Sequence, residues 1–192
     1  MDLKIKLKSV LLPALLTLIL LGGCSAQLAT FGLATFGDDR SRGNTIADNE
    51  IILDINKRLL SERNRDLFFR VFVDSYEGRV MLTGMVSSED NRRRAGRLVN
   101  GLTKVRTLYN DIKVAENDNI KTRANDAWIG AKIRAQLLSR EDIRWLNYRW
   151  RVVNGTVYLL GRTNKPSEKA VILKIIRQTS RVRGLIEHIE LG

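Results

Sequence analysis

Gly78-Arg79-Val80-Met81-Leu82-Thr83-Gly84 returns in the second half of the chain as Gly155-Thr156-Val157-Tyr158-Leu159-Leu160-Gly161. Each phrase is framed by glycines, with apolar residues at its third and fifth positions. The turn before it is Glu77-Gly78 in the first copy and Asn154-Gly155 in the second, and the latter pair is a strong signal for a two-residue hairpin. Val71 and Val73 alternate on the far side of the first turn, and Tyr148, Trp150 and Val152 on the far side of the second, as strands paired across a hairpin do.

The match continues in both directions. Upstream, Ile51, Ile55 and Leu59 correspond to Ile129, Ile133 and Leu137, each set four residues apart and so on one face of a helix. Asp48 stands where it is expected to cap the first of these helices. Downstream, Ala95, Leu98, Val99 and Leu102 restore helical spacing, opened by Ser87 with Asp90 three residues on. Pro166 sits where a first helical turn of the second copy tolerates it. Leu108, Ile112 and Val114 then correspond to Leu185, Ile189 and Leu191, a closing strand in each copy. The predicted fold is α+β: two tandem αββαβ units, 48–114 and 125–191, each with two helices packed on one face of a three-stranded mixed sheet. A unit this small has a marginal core, so contact between the copies would help. Residues 115–124 form a short polar connector.

The start of the chain is a targeting segment. Lys4, Lys6 and Lys8 precede an apolar run, Val10 to Leu21, too short to span a bilayer. It ends in Leu21-Gly22-Gly23-Cys24, which resembles the bacterial lipobox, with 1–23 removed as a signal peptide and Cys24 the acyl acceptor. Cys24 is the single cysteine, so no disulfide framework exists. Ser25 after it, in place of Asp, is the pattern of lipoproteins sent to the outer membrane. Residues 24–47 read as lipidated terminus and linker, spanning about 25–30 Å as a coil. The linker doubles Leu28-Ala29-Thr30-Phe31-Gly32 as Leu33-Ala34-Thr35-Phe36-Gly37. The formal net charge of the whole chain is +12. In a lipid-anchored envelope protein that charge meets anionic headgroups rather than nucleic acid.

The G-x-V-x-L-x-G phrase with its flanking helices and closing strand resembles the BON domain, and two such domains behind a lipobox resemble the DolP family of division- and outer-membrane-stress-associated lipid-binding lipoproteins. The chain departs from the family at two positions, where its glycine before the last strand is Lys104 in the first copy and Arg181 in the second. The resemblance implies binding rather than catalysis. It also implies a lipid anchor in the outer membrane with the domains facing the periplasm, and contact between anionic phospholipid and the first helix of the second domain.

The residues of that helix fit the implication. Off its core stripe lie Trp128, Lys132, Ala135 and Gln136, an indole with an ammonium one turn away, and Arg134 offers further charge. In the first copy Trp128 is replaced by Glu50, which an anionic surface would repel. The first copy holds 13 Lys+Arg against 10 Asp+Glu, net +3, and the second 13 against 6, net +7. Trp145, in a loop, is the expected second membrane contact. Arg144 to Arg151 interleaves bases and aromatics as single-strand binders do. Alternation assigns Trp150 to the core instead and turns Arg149 and Arg151 to the opposite face. Arg92, Arg93, Arg94 and Arg97 crowd one helix and are the candidate surface for a protein partner, such as an outer-membrane assembly or cell-division component.

Nothing in the sequence nominates catalytic residues, a metal site or a cofactor. His188 is the single histidine, with no second one to share a metal, and Glu187 and Glu190 read as surface residues. Gly161-Arg162-Thr163-Asn164-Lys165 lacks the spacing of a phosphate-binding loop.

Overall fold

A computed structural model describes residues 42–115 and 120–192. The signal segment, Cys24 and the doubled Leu-Ala-Thr-Phe-Gly motif lie outside them. The first unit runs α1 (Arg42–Leu60), a 3-10 turn (Glu62–Asn64), α2 (Arg65–Phe68), β1 (Val71–Tyr76), β2 (Arg79–Val86), α3 (Glu89–Arg97), β3 (Thr107–Asn110) and β4 (Lys113–Val114). The second runs α4 (Ile120–Leu138), a 3-10 turn (Trp145–Asn147), β5 (Tyr148–Val153), β6 (Thr156–Thr163), α5 (Pro166–Gln178) and β7 (Gly184–Leu191). β1 pairs antiparallel with β2, and β3 and β4 both pair parallel with β2. In the same way β5 is antiparallel and β7 parallel to the central β6. The αββαβ order and the mixed sheets are as expected, except that the first unit inserts the one-turn helix α2 before β1 and has its last strand interrupted at Asp111-Ile112.

Both first helices begin earlier than periodicity suggested, since α1 takes in residues 42–47 of the expected linker and α4 takes in 120–124 of the expected connector. Asp48 therefore lies inside α1 and does not cap it. Its buried carboxylate accepts hydrogen bonds from Ser75 Oγ at 2.7 Å, Glu77 N at 2.8 Å and Gly78 N at 2.9 Å. Asp126 does the same in the second unit, accepting from Asn154 N at 2.7 Å and Gly155 N at 2.8 Å. One carboxylate per unit thus fastens the first helix to the hairpin turn, whose two residues both have positive φ (51° and 73°; 48° and 73°), as a type I′ turn requires. The helix α3 is capped by Ser88, whose Oγ accepts from Asn91 N at 3.1 Å, one residue later than expected.

The closing glycines of the repeated phrase are required by close approach. A Cβ on Gly84 would stand 1.9 Å from Arg70 O, and one on Gly161 2.5 Å from Asn147 O. Both are places where the chain enters the first strand of its unit across the end of the second.

Side chains on alternate positions of β2 go to different cores. Val80, Leu82 and Val86 meet Ile51, Ile55, Leu59 and Ala95 of the helices. Met81 and Met85 turn away, to a cluster they share with Tyr76, Val153, Tyr158 and Leu160. In the second unit Val157 and Leu159 meet Ile129, Ile133 and Leu137. The helix-free faces of the two sheets therefore pack on each other, with helices outside on both sides, and residues 38–192 cluster as one unit.

This interface is also polar. Arg79 is 0% exposed; its Nη2 donates to Gly161 O at 2.8 Å and its Nη1 to His188 O at 3.1 Å. Its Nε lies 3.4 Å from Glu190 Oε2, an ion pair not aligned as a hydrogen bond. Arg151 makes a bidentate pair with Asp74 (2.9 and 3.1 Å), and His188 Nε2 sits 2.7 Å from Asp111 Oδ2 with its ring stacked on Tyr109. Arg149 and Arg151 do point away from their own core, as alternation required, and meet the first unit: Arg149 lies over Tyr76 and Arg151 over Phe72.

Truncating Arg79 empties a desolvated site and leaves two carbonyls without this donor, so Arg79→Ala costs about 3 kcal/mol. It should also uncouple the units. All three tryptophans are in the second, so the urea transitions by fluorescence and by far-UV circular dichroism should coincide in the parent and separate in the variant. The Tyr158 hydroxyl, buried at the same interface, has no hydrogen-bond partner, and burial pushes it up to about 12. Tyr158→Phe therefore stabilises by about 1 kcal/mol at neutral pH. Because the folded-state value is raised, this group's contribution is whole below the unfolded value of about 10 and is lost as pH rises through about 12. Denaturation curves across that window should fall less steeply for the variant.

Candidate functional site

Helix α4 has three working faces. Ile129, Ile133 and Leu137 fill the core. One flank carries Trp128, Lys132 and Gln136, each a turn apart, and runs beside the Thr179–Arg181 turn that precedes β7. Trp128 is 39% exposed, with Lys132 Nζ 4.9 Å and the Arg181 guanidinium carbon 4.4 Å from the centre of its ring. Lys132 Nζ donates to Ser180 Oγ at 3.3 Å. The Thr179 hydroxyl lies 2.8 Å from Gln136 Oε1 and 2.9 Å from Ile175 O, so Gln136 ties the turn to the helix. The arrangement is an outward indole with two cations over it, both reaching water.

Arg181 holds this geometry under strain, with φ of 69° at a residue carrying a Cβ. It is one of the two positions where the chain replaces the glycine that the family resemblance led one to expect. In the first unit Lys104, at the same place, has an ordinary φ, and Gly101 takes the left-handed conformation instead.

The two copies give an internal comparison at three equivalent positions. Where the second unit has Trp128, Lys132 and Arg181, the first has Glu50, Asp54 and Lys104. Glu50 is ion-paired with Lys104, and Asp54 with Lys57 at 3.8 Å. The same corner of the fold carries one net negative charge in the first unit and two positive charges with an indole in the second.

The six residues expected to bind phospholipid are not brought together as one set. Trp128, Lys132 and Gln136 are neighbours. Arg134 falls on the other flank of α4, where its guanidinium carbon lies 5.4 Å from the centre of the Trp150 ring, and Ala135 faces outward between the two flanks. Trp145 is half-buried against the second core rather than standing out from its loop. Arg181, a neighbour of the indole, and Ser180, a partner of Lys132, were missed. Pairing each helix position with its turn position across the repeat, Glu50 with Lys104 and Trp128 with Arg181, is the signal that would have found them.

The arginines of α3 are engaged within their own unit. Arg92 pairs with Glu89 at 3.4 Å and donates to Asn110 O at 3.2 Å. Arg93 and Arg97 lie 3.7 and 4.0 Å from Asp90. Arg94 donates to Arg63 O at 2.9 Å and is ion-paired with Asp66. Glu168, buried below β6, is satisfied by Arg144 N, the Tyr148 hydroxyl and Thr163 Oγ1, and burial raises the Tyr148 hydroxyl well above the usual phenol range. Among the described residues, no three His, Cys, Asp or Glu side chains converge to hold a metal, and no helix is long and apolar enough to cross a membrane.

The BON domain family matches residues 47–116 and 125–192. An uncharacterized protein in the gshII 5′ region of Anaplasma centrale is 32% identical over 147 residues, 76% of this chain and 95% of that protein. Outer membrane lipoprotein DolP of Haemophilus influenzae is 26% identical over 166 residues, 86% and 82% of the two chains. A 21 kDa hemolysin of Actinobacillus pleuropneumoniae is 23% identical over 155 residues, 80% of each.

Replacing the strained residue tests whether the turn is kept for its side chain. Arg181→Gly should raise stability by about 1 kcal/mol, read as a higher urea midpoint at unchanged slope, since glycine takes positive φ without a Cβ clash.

Proposed function

Since this chain belongs to the BON-domain family and carries two copies of the domain, we propose that it is a lipid-anchored outer-membrane protein, its domains in the periplasm, that binds anionic phospholipid through the second domain and supports the integrity of that membrane. Likeness to an outer membrane lipoprotein over most of both chains supports the location. The lipobox at Cys24 supports the anchor.

The observation that carries the lipid reading is the internal comparison. One corner of one fold has been made net negative and internally paired in the first domain, and aromatic and cationic in the second. An indole takes the headgroup level of a bilayer while ammonium and guanidinium groups take phosphates. Trp128 is the inserting residue, with Lys132 and Arg181 the cations beside it. Gln136 holds the turn that presents Arg181.

Magnitudes define what such contact does. Basic residues near an anionic surface contribute about 1 kcal/mol each, so this site alone gives weak, salt-sensitive binding. Acyl chains contribute about 0.8 kcal/mol per buried CH₂ and dominate retention. Anchoring at Cys24 raises the local lipid concentration seen by the weak site, so lipid recognition sets where the protein sits and how the domain faces the bilayer.

Co-sedimentation of the full chain carrying Cys24→Ser, so that no acyl group is added, tests this reading. Vesicles containing phosphatidylglycerol should pull the protein down, phosphatidylcholine vesicles should not, and added salt should weaken the binding. Trp128→Glu should lower the affinity by about tenfold or more, while Arg92→Glu, whose partners are internal, leaves it unchanged. Binding indifferent to phosphatidylglycerol, or abolished by Arg92→Glu instead, would transfer the function to an adaptor that docks a protein partner on α3.

A further inference from the structure

The flank of α4 opposite Trp128 faces a groove of about 730 Å³, whose far wall comes from the first domain. We infer that this groove is a binding site for one molecule of anionic lipid, its acyl chain lying between the domains and its headgroup at a rim of arginines. Phe69 and Phe72 form the first-domain wall and Leu138 and Trp150 the other, over a floor of Ala131 and Gly130. Phe69 is 68% exposed, Leu138 52% and Phe72 43%, a contiguous apolar lining left open to water.

Small residues keep the channel open, and this is specific to the second domain. Where α4 has Gly130 and Ala131, the equivalent positions of α1 are Ile52 and Leu53. The volume suits a single small amphiphile, falling within the range of about 300–1,000 Å³ for ligand pockets.

Charge fixes which end of an amphiphile goes where. Arg70 from the first domain and Arg123 and Arg134 from α4 line the groove. Asp126 also borders it, but its carboxylate accepts from the amides of Asn154 and Gly155. Arg151 is turned to Asp74. The charged lining is thus four arginines, Arg70, Arg123, Arg134 and Arg151, against one carboxylate, Asp126, a net positive rim complementary to a net-anionic headgroup, while the apolar lining offers a hydrocarbon chain contact. Because Phe69, Arg70 and Phe72 belong to one domain and α4 to the other, the site exists only through the face-to-face docking of the sheets. It lies on the other side of α4 from Trp128, so it stands or falls separately from membrane-surface contact.

The test uses monomeric lipid. The full chain carrying Cys24→Ser is titrated calorimetrically with palmitoyl-lysophosphatidylglycerol below its micelle concentration, with palmitoyl-lysophosphatidylcholine as the zwitterionic, net-neutral comparison. Saturable binding of one glycerol lipid per chain is expected, with weaker binding of the choline lipid. Gly130→Leu fills the floor: a Cβ there meets Val152 Cγ2 at 3.9 Å, an ordinary contact, and leaving glycine favours the helix, so the thermal midpoint should not fall. That variant should lose about tenfold or more in affinity, and Arg134→Glu should weaken the glycerol lipid selectively. Trp128→Glu should leave this titration unchanged while losing vesicle binding. No saturable binding, equal binding of the two lipids, or affinity unaffected by Gly130→Leu overturns the assignment. A dimer in sedimentation that Gly130→Leu dissociates overturns it too, giving the groove to a second copy of the chain.

Discussion

β2 and β6 carry apolar side chains on both faces, so each sheet has two sides that must leave water. Helices cover one side of each. The other sides cover each other: Tyr76, Met81 and Met85 of the first unit and Val153, Tyr158 and Leu160 of the second form one buried cluster. The remainder of the molecule follows from that docking: it buries Arg79 against carbonyls of the other domain, pairs Arg151 with Asp74, and brings Phe69 and Phe72 up to α4. A pair of units each too small for a generous core gains a third, shared one.

Charge inside this interface decides how the domains meet more than how tightly. Apolar contact between two sheets tolerates sliding, whereas the bidentate Arg151–Asp74 pair, the Arg79 guanidinium on two carbonyls and the His188–Asp111 contact each accept one alignment. Desolvating such groups is costly, and the buried Nε of Arg79 and the Tyr158 hydroxyl show that satisfaction is incomplete. Fixed alignment leaves the outer flanks of α4 in defined places, one toward the turn at Arg181 and the other toward the groove.

The repeat shows how one fold acquires two surfaces. The elements that build it are held in common: the core stripe of the first helix, the carboxylate that fastens the hairpin turn, and the glycine where the chain crosses into the first strand. What differs lies at positions that the fold leaves to solvent. There Glu50 and Lys104 neutralise each other, while Trp128 and Arg181 do not. The left-handed backbone at Arg181 is a cost borne for that difference, since a glycine would relieve it and remove the cation.

The order of elements, the two units and their core residues were legible in the sequence because period-two and period-four burial leaves a direct trace in apolar spacing. The outward face of Arg149 and Arg151 and the asymmetry at Trp128 were legible for the same reason. Helix starts were not, because residues 42–47 and 120–124 are polar and helical together. Nor was the role of Asp48, whose partners, Ser75, Glu77 and Gly78, are distant in sequence. The runs Val80-Met81-Leu82 and Val157-Tyr158-Leu159-Leu160 did carry the signal of strands buried on both sides, but not what covers the second side. Tertiary structure alone decided that the sheets cover each other, that Trp145 packs half-buried against a core, and that Arg181 joins Trp128. Each of these turns on which distant segments a side chain meets, and linear spacing fixes a residue's face but not the neighbour across from it.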